Sequence, residues 1–144
     1  MSVLRQGRIV YVPMLDPQGR NRKHRPGLIV TPDDLIRAGG PVRVVAITGT
    51  VGMSPAEVSV ALDWHRSGHP RTRLSRPCEA ICSWSELFAP EQLTDAGGYQ
   101  SGDKLLDILQ IVKLLYPATG PSVGTDTTEP TPGGTQPPAP PPAG

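Results

Sequence analysis

The chain has 144 residues, with 14 Lys and Arg against 13 Asp and Glu, two cysteines and a single Phe. That length fits one domain, and two cysteines supply no disulfide framework. No apolar run approaches the roughly twenty residues needed to span a bilayer, and the opening stretch from Met1 to Val10 lacks the apolar core and cleavage site of a signal peptide. A cytoplasmic protein is expected.

In chain order, Arg8–Val12 reads as a β-branched and aromatic strand after a turn at Gly7, and Pro26–Thr31 as a second. Thr31-Pro32-Asp33-Asp34 has the features of a helix start: a hydroxyl cap, a first-turn proline and two acids on the positive end of the dipole. Gly39-Gly40 ends that short helix. Pro41–Thr48 is the most apolar strand and is expected at the centre of the sheet. Gly49–Pro55 forms a loop, Val58–Leu62 a fourth strand, and Cys78–Trp84 a fifth.

Ser85–Gly98 reads as a mixed connection with a helical turn near Pro90. Ser101 can cap a final amphipathic helix through Tyr116, with Leu105, Leu106, Ile108, Leu109, Val112 and Leu115 at helical spacing and Pro117 as the stop. Residues 1–116 should form the domain. Residues 117–144, rich in Pro, Gly and Thr with Val123 as the one large aliphatic side chain, should stay disordered with polyproline-II bias. The expected architecture is mainly β with helices, a small barrel-like sheet capped by helices.

The charge is unevenly placed. All fourteen basic residues fall in 1–116, against 11 acids there, a net of +3. No acid occurs from Pro17 to Pro32, where Arg20, Arg22, Lys23 and Arg25 gather beside His24. A second acid-free segment, Trp64–Cys78, holds His65, Arg66, His69, Arg71, Arg73 and Arg76. Two local positive patches on a nearly neutral body suggest a localised polyanion site. Solvated loop charge is the plainer alternative.

The order of motifs resembles the MazF/PemK family of toxins from toxin–antitoxin systems. The matching pieces are Gly7–Val12, Asp16-Pro-Gln-Gly, Lys23-His-Arg-Pro-Gly-Leu-Ile-Val, Val44–Thr48, Thr72–Pro77 before Cys78–Trp84, and the helix from Gly102 to Leu115. Departures occur at Arg8, where the family commonly has an acid, at Gly49-Thr50 in place of a serine, and in the longer basic segment around Trp64–Pro70. The resemblance implies an SH3-like β-barrel toxin, homodimeric, that cleaves single-stranded RNA without a metal or other cofactor. It also implies neutralisation by a cognate antitoxin. By position, the family's catalytic arginine falls on Arg25 and its catalytic threonine on Thr48.

Those residue types suit that chemistry. RNA carries its own nucleophile, the 2′-hydroxyl, so the protein must position the backbone and stabilise charge on the phosphorane. The planar fork of Arg25 can bond two phosphate oxygens and stays charged at physiological pH. Its alternative role is to position a phosphate or pair with a carboxylate. The hydroxyl of Thr48 can reach the phosphorane, or it can bond a neighbouring backbone group as strand-end threonines do. Together the two catalytic roles require the loop before the second strand to lie beside the end of the third.

The remaining RNA contacts are expected from Arg20, Arg22, Lys23, His24, His65, Arg66, His69, Arg71 and Arg73. Asp16 either orients Arg25 or a ribose hydroxyl, or forms a turn. A histidine is the natural general base near neutral pH, although His24 should face away from Arg25 on an extended chain. Cys78 and Cys82, four residues apart on a strand, lie about 13 Å from each other and can share neither a metal nor a disulfide. They are expected as buried thiols. Trp84 is assigned to the core, with base stacking as the alternative for it and for Trp64. A competing function is a non-catalytic module on the same barrel that binds RNA or a protein, including a toxin that poisons its target by binding, as the CcdB group does.

Overall fold

The computed structural model describes residues 4–16 and 18–116; the expected disordered tail, 117–144, lies outside the described residues. Packing separates a unit ending at Val112 from one beginning at Lys113, and of the second only the end of a helix and Tyr116 are described. The elements are strands β1 (Arg8–Leu15), β2 (Arg22–Ile29), β3 (Val42–Thr48), β4 (Ser59–Ala61), β5 (Glu79–Phe88) and β6 (Thr94–Tyr99), with helices α1 (Asp33–Arg37) and α2 (Gly102–Leu115). Short 3-10 turns occupy Ala56–Val58 and Pro90–Gln92. The expected α+β class holds.

All strand pairs are antiparallel, in the order β4-β5-β3-β2-β1-β6. Both faces of this sheet are covered. One face buries Ile9, Leu28, Val45, Ile47, Leu62, Ala80 and Cys82 against Ile108 of α2. The other buries Val10, Val12, Met14, Ile29, Val42, Val44 and Ala46 against Ile36 of α1 and Phe88. Double coverage explains why Val44–Ile47 is apolar and buried throughout instead of alternating. On α2, Leu105, Leu109, Ile111 and Val112 pack around Ile108, whereas Leu106, expected on the apolar stripe, is 62% exposed.

The edges β4 and β6 do not pair, so the sheet is curled rather than closed by a ladder. Side chains make the seam instead. At the end of β1, the Leu15 amide donates to Glu86 Oε2 at 2.7 Å, and its carbonyl accepts from Trp84 Nε1 at 2.9 Å. Arg22 adds a third tie, donating to the Pro13 carbonyl and to Glu86 Oε1. Three strands are thereby drawn together at one rim.

Strand β1 runs on to Leu15 and β2 begins at Arg22, which places Arg22–Arg25 on a strand ahead of the expected start at Pro26. Two further differences are larger. Strand β5 continues to Phe88, and Thr94–Tyr99 is a strand where a connection was expected. With Gly97 at φ 89 and few apolar residues, β6 has no period-2 signal; it is held on β1 by the two-pronged Arg8–Asp95 contact at 2.7 and 2.9 Å. Strand β5 is also irregular. One step on β3, Val45 to Ala46, faces four on β5, Ser85 back to Ile81, so Cys82, Ser83 and Trp84 fall outside the β3–β5 register. Such bulges re-aim side chains.

Gly27 sets how closely β2 approaches β3. A Cβ there would lie 2.4 Å from Val44 Cγ1 and 3.0 Å from the Val45 carbonyl. Gly27→Ala should therefore cost about 1–3 kcal/mol of stability, read by urea unfolding, and the cost should shrink in a Val44→Ala background. Both cysteines are buried, and neither is in a disulfide among the described residues. Burial pushes the Cys82 thiol up to about 11 and raises that of Cys78 as well. The native protein should thus leave both thiols unmodified by a thiol reagent at neutral pH, with two equivalents reacting only after unfolding.

Candidate nucleic-acid interface

The β2–β3 ladder runs from Ile29↔Val44 to Gly27↔Ala46 and stops at Pro26, which has no N–H to contribute. Continuing the register by two residues sets Arg25 opposite Thr48. Both are half-buried, at the point where β2 remains paired only with β1 and β3 only with β5. The β2–β3 ladder ends short of this pair, with a guanidinium on one strand and a hydroxyl on the other. Opposed residues share a face of a sheet.

Arg25 is held by neutral groups. Its Nε donates to the Met14 carbonyl at 3.4 Å, a long contact, and its Cζ lies 5.3 Å from the ring centroid of Trp84. Among the described residues no carboxylate forms an ion pair with it. Thr48 Oγ1 accepts the Thr50 amide at 3.0 Å. The backbone bonding anticipated for a strand-end threonine is therefore present, and it aims the hydroxyl oxygen while leaving the hydroxyl proton to donate elsewhere.

The loop between β1 and β2 is built by its acid. The Asp16 amide donates to the Asn21 carbonyl at 2.9 Å and its carbonyl accepts from Gly19 at 2.8 Å, with Gly19 at φ 75 supplying the left-handed step. Asp16 Oδ1 accepts the Arg20 amide at 2.8 Å, and this bond is the main cause holding the carboxyl below its usual range. Asp16 is thus the turn former; it does not bond Arg25. Arg20, Lys23 and His24 are exposed, and His24 lies on the opposite side of β2 from Arg25. Arg22 is engaged by Glu86 and the Pro13 carbonyl, so part of its charge serves the seam.

The second basic segment is organised by its histidines. His65 Nδ1 accepts the Ser67 amide at 3.1 Å, while His69 Nδ1 accepts those of Arg71 at 3.1 Å and Thr72 at 3.3 Å. Each ring nitrogen that bends the loop is unavailable as a base, which leaves Nε2 to carry the proton. Arg66 and Arg73 are exposed, and Arg73 takes a left-handed φ of 65, the one non-glycine to do so among the described residues. Trp64 is 44% exposed.

One carboxylate contact and one close approach tie this segment to the rest of the domain. Arg71 reaches Asp63 at 3.9 Å, and Asp63 also takes Lys104 Nζ at 3.1 Å and Gln100 Nε2 at 2.8 Å. At its other end, the Arg76 guanidinium lies against Gly49, where an added Cβ would sit 3.2 Å from it. Arg76 therefore brings a second fixed cation to the residue after Thr48. Sequence reasoning placed it in a basic run but gave it no position. It likewise assigned Trp84 to the core, whereas the ring packs on the apolar face and also underlies Arg25. Nothing in the linear pattern signals either contact, because the first depends on a glycine and the second on a bulge.

The Asp63 carboxyl is depressed, chiefly by the Gln100 amide and then by Lys104. A depressed folded-state value contributes stability that is present above the unfolded value near 4 and is lost as pH falls through the folded one. Asp63→Asn should cost about 0.5–1 kcal/mol at pH 7. Urea titrations at descending pH should show the gap between variant and parent closing in acid.

No family model and no curated protein matches the chain by sequence. Solved structures do match it in fold. Deinococcus radiodurans MazF aligns with TM-score 0.60 at 14% identity, covering 80% of this chain and 97% of that one. The Mycobacterium tuberculosis toxin MazF-mt6 aligns with TM-score 0.54 at 22% identity, covering 76% and 96%. An endoribonuclease in complex with its cognate antitoxin, from a mycobacterial species, aligns with TM-score 0.57 at 19% identity, covering 80% and 98%. The chain has the MazF-like α+β fold over nearly the whole length of these proteins.

Proposed function

We propose that this chain is a toxin of the MazF kind, an endoribonuclease that cuts single-stranded RNA and is held in check by a cognate antitoxin. The observation that carries the reading is the β2–β3 register, which, continued two residues past its last pair, sets Arg25 opposite Thr48 on the chain that also exposes Arg20 and Lys23. The fold shared with proteins described as an endoribonuclease and as MazE–MazF complexes supports it. Homodimerisation and a cytoplasmic location belong to the same proposal. Among the described residues, no helix is long and apolar enough to cross a membrane.

In the proposed reaction, the ribose 2′-oxygen attacks the adjacent phosphorus. The 2′-O–P bond forms and the P–O5′ bond breaks, giving a 2′,3′-cyclic phosphate and a 5′-hydroxyl. The 2′-hydroxyl loses its proton and the leaving 5′-oxygen gains one. Arg25 supplies positive charge to the phosphorane oxygens through its terminal N–H groups, since Nε is already directed at Met14. The Thr48 hydroxyl donates to a second phosphoryl oxygen. Arg20, Lys23, Arg66 and Arg73 draw in the phosphate backbone, so binding should weaken steeply with salt.

The test is to map cleavage ends on a long RNA incubated with the full chain in EDTA. Cyclic-phosphate termini are expected, with Arg25→Ala lowering the rate by about 10²–10³. RNA left intact at high protein concentration refutes the nuclease. Intact RNA that is nevertheless bound, with Arg25→Ala costing only modest affinity, points to the binding module instead.

A further inference from the structure

We propose that Trp84 is a positioning residue for Arg25, holding its guanidinium in place for a phosphate; the proposal rests on the nuclease reading above. Three observations converge. The β5 irregularity frees Cys82–Trp84 from pairing with β3, which allows Trp84 to be aimed toward β2. The guanidinium carbon then lies 5.3 Å from the indole centroid, within the range of a cation–π contact. Consecutive carbonyls of β1 fix both partners, Met14 taking Arg25 Nε and Leu15 taking Trp84 Nε1.

The chemistry of this support differs from that of the usual carboxylate. An acid beside Arg25 would orient it, but would also neutralise the charge a phosphorane needs and occupy the paired N–H groups that a phosphate uses. An aromatic face orients the cation while leaving the terminal nitrogens to the ligand. With Nε directed at Met14, the long side chain loses freedom before substrate arrives, and less order remains to be imposed on binding. The half-buried position of Arg25 lowers the local dielectric and strengthens its field.

Trp84 also helps close the sheet, so a seam role must be separated from an Arg25 role. The full chain is compared as parent, Arg25→Ala, Trp84→Phe, Trp84→Leu and the Arg25→Ala/Trp84→Leu double variant. Turnover and KM are measured on single-stranded RNA, and affinity on a non-cleavable 2′-O-methyl oligonucleotide. Trp84→Leu should lower kcat about tenfold with KM changed less, Trp84→Phe should retain most activity through its aromatic face, and Trp84→Leu should add nothing once Arg25 is gone. Equal losses with and without Arg25, or equal losses in Trp84→Phe and Trp84→Leu, overturn the proposal.

If Trp84→Leu does not fold, the emission of Trp84 in a Trp64→Phe background decides the matter. A spectrum that shifts on Arg25→Ala supports the stacked pair, and an unchanged one refutes it. If the parent cleaves no RNA, the nuclease reading fails separately. The same cycle is then read from oligonucleotide affinity, where coupling between positions 25 and 84 upholds the positioning role and additivity removes it.

Discussion

The fold turns on how the two backbone groups of one residue are satisfied. Leu15 ends β1 with an amide and a carbonyl that find partners in side chains, Glu86 for the first and Trp84 for the second. A buried backbone group left without a partner costs free energy comparable to a lost hydrogen bond, so these two contacts bind β1 to β5 although two strands lie between them in the sheet order. The curl that results brings the apolar face of β1, β2 and β3 round on itself. It also brings Trp84 beneath Arg25. Structure and candidate chemistry thus share one anchoring point.

The positive character of the site comes less from a lack of acids than from where they are used. Asp16 closes the first basic loop, Glu86 holds Arg22 at the seam, Asp63 gathers Gln100, Lys104 and Arg71, and Asp95 clamps Arg8 on the far edge. Each carboxylate is committed to a structural partner. Arg20, Lys23, Arg66 and Arg73 remain at the surface, and Arg25 is oriented by an aromatic ring and a carbonyl. A nearly neutral chain can in this way keep uncompensated cations at its surface.

The readability of the sequence follows how local each signal is. Strands β1 and β3, helix α1 with its acids at the first turn, and α2 around Ile108 were legible because their signals are local: apolar β-branched runs, a proline followed by two acids, and apolar residues at helical spacing. The β2–β3 pairing that sets the register of Arg25 against Thr48 was legible as antiparallel neighbours; the choice of those two residues came from the family resemblance alone. Strand β6 was hidden because an edge strand with two glycines is made by the clamp from Arg8, eighty-seven residues away in the chain. The extension of β5 was hidden by its bulge, and Leu106 was misread because α2 buries a narrower stripe than its composition suggests. Both histidines of the second basic segment look like bases in sequence, yet their Nδ1 atoms shape turns.

Gly49 and Arg76 form a pair whose choices constrain each other. The first carbon of any side chain at position 49 would lie 3.2 Å from the guanidinium, closer than ordinary packing. A cation delivered from another loop thus leans on the one residue type without a side chain. A bulkier residue there would have to push that arginine aside. The two positions, distant in the chain, are therefore free to change only in step with each other.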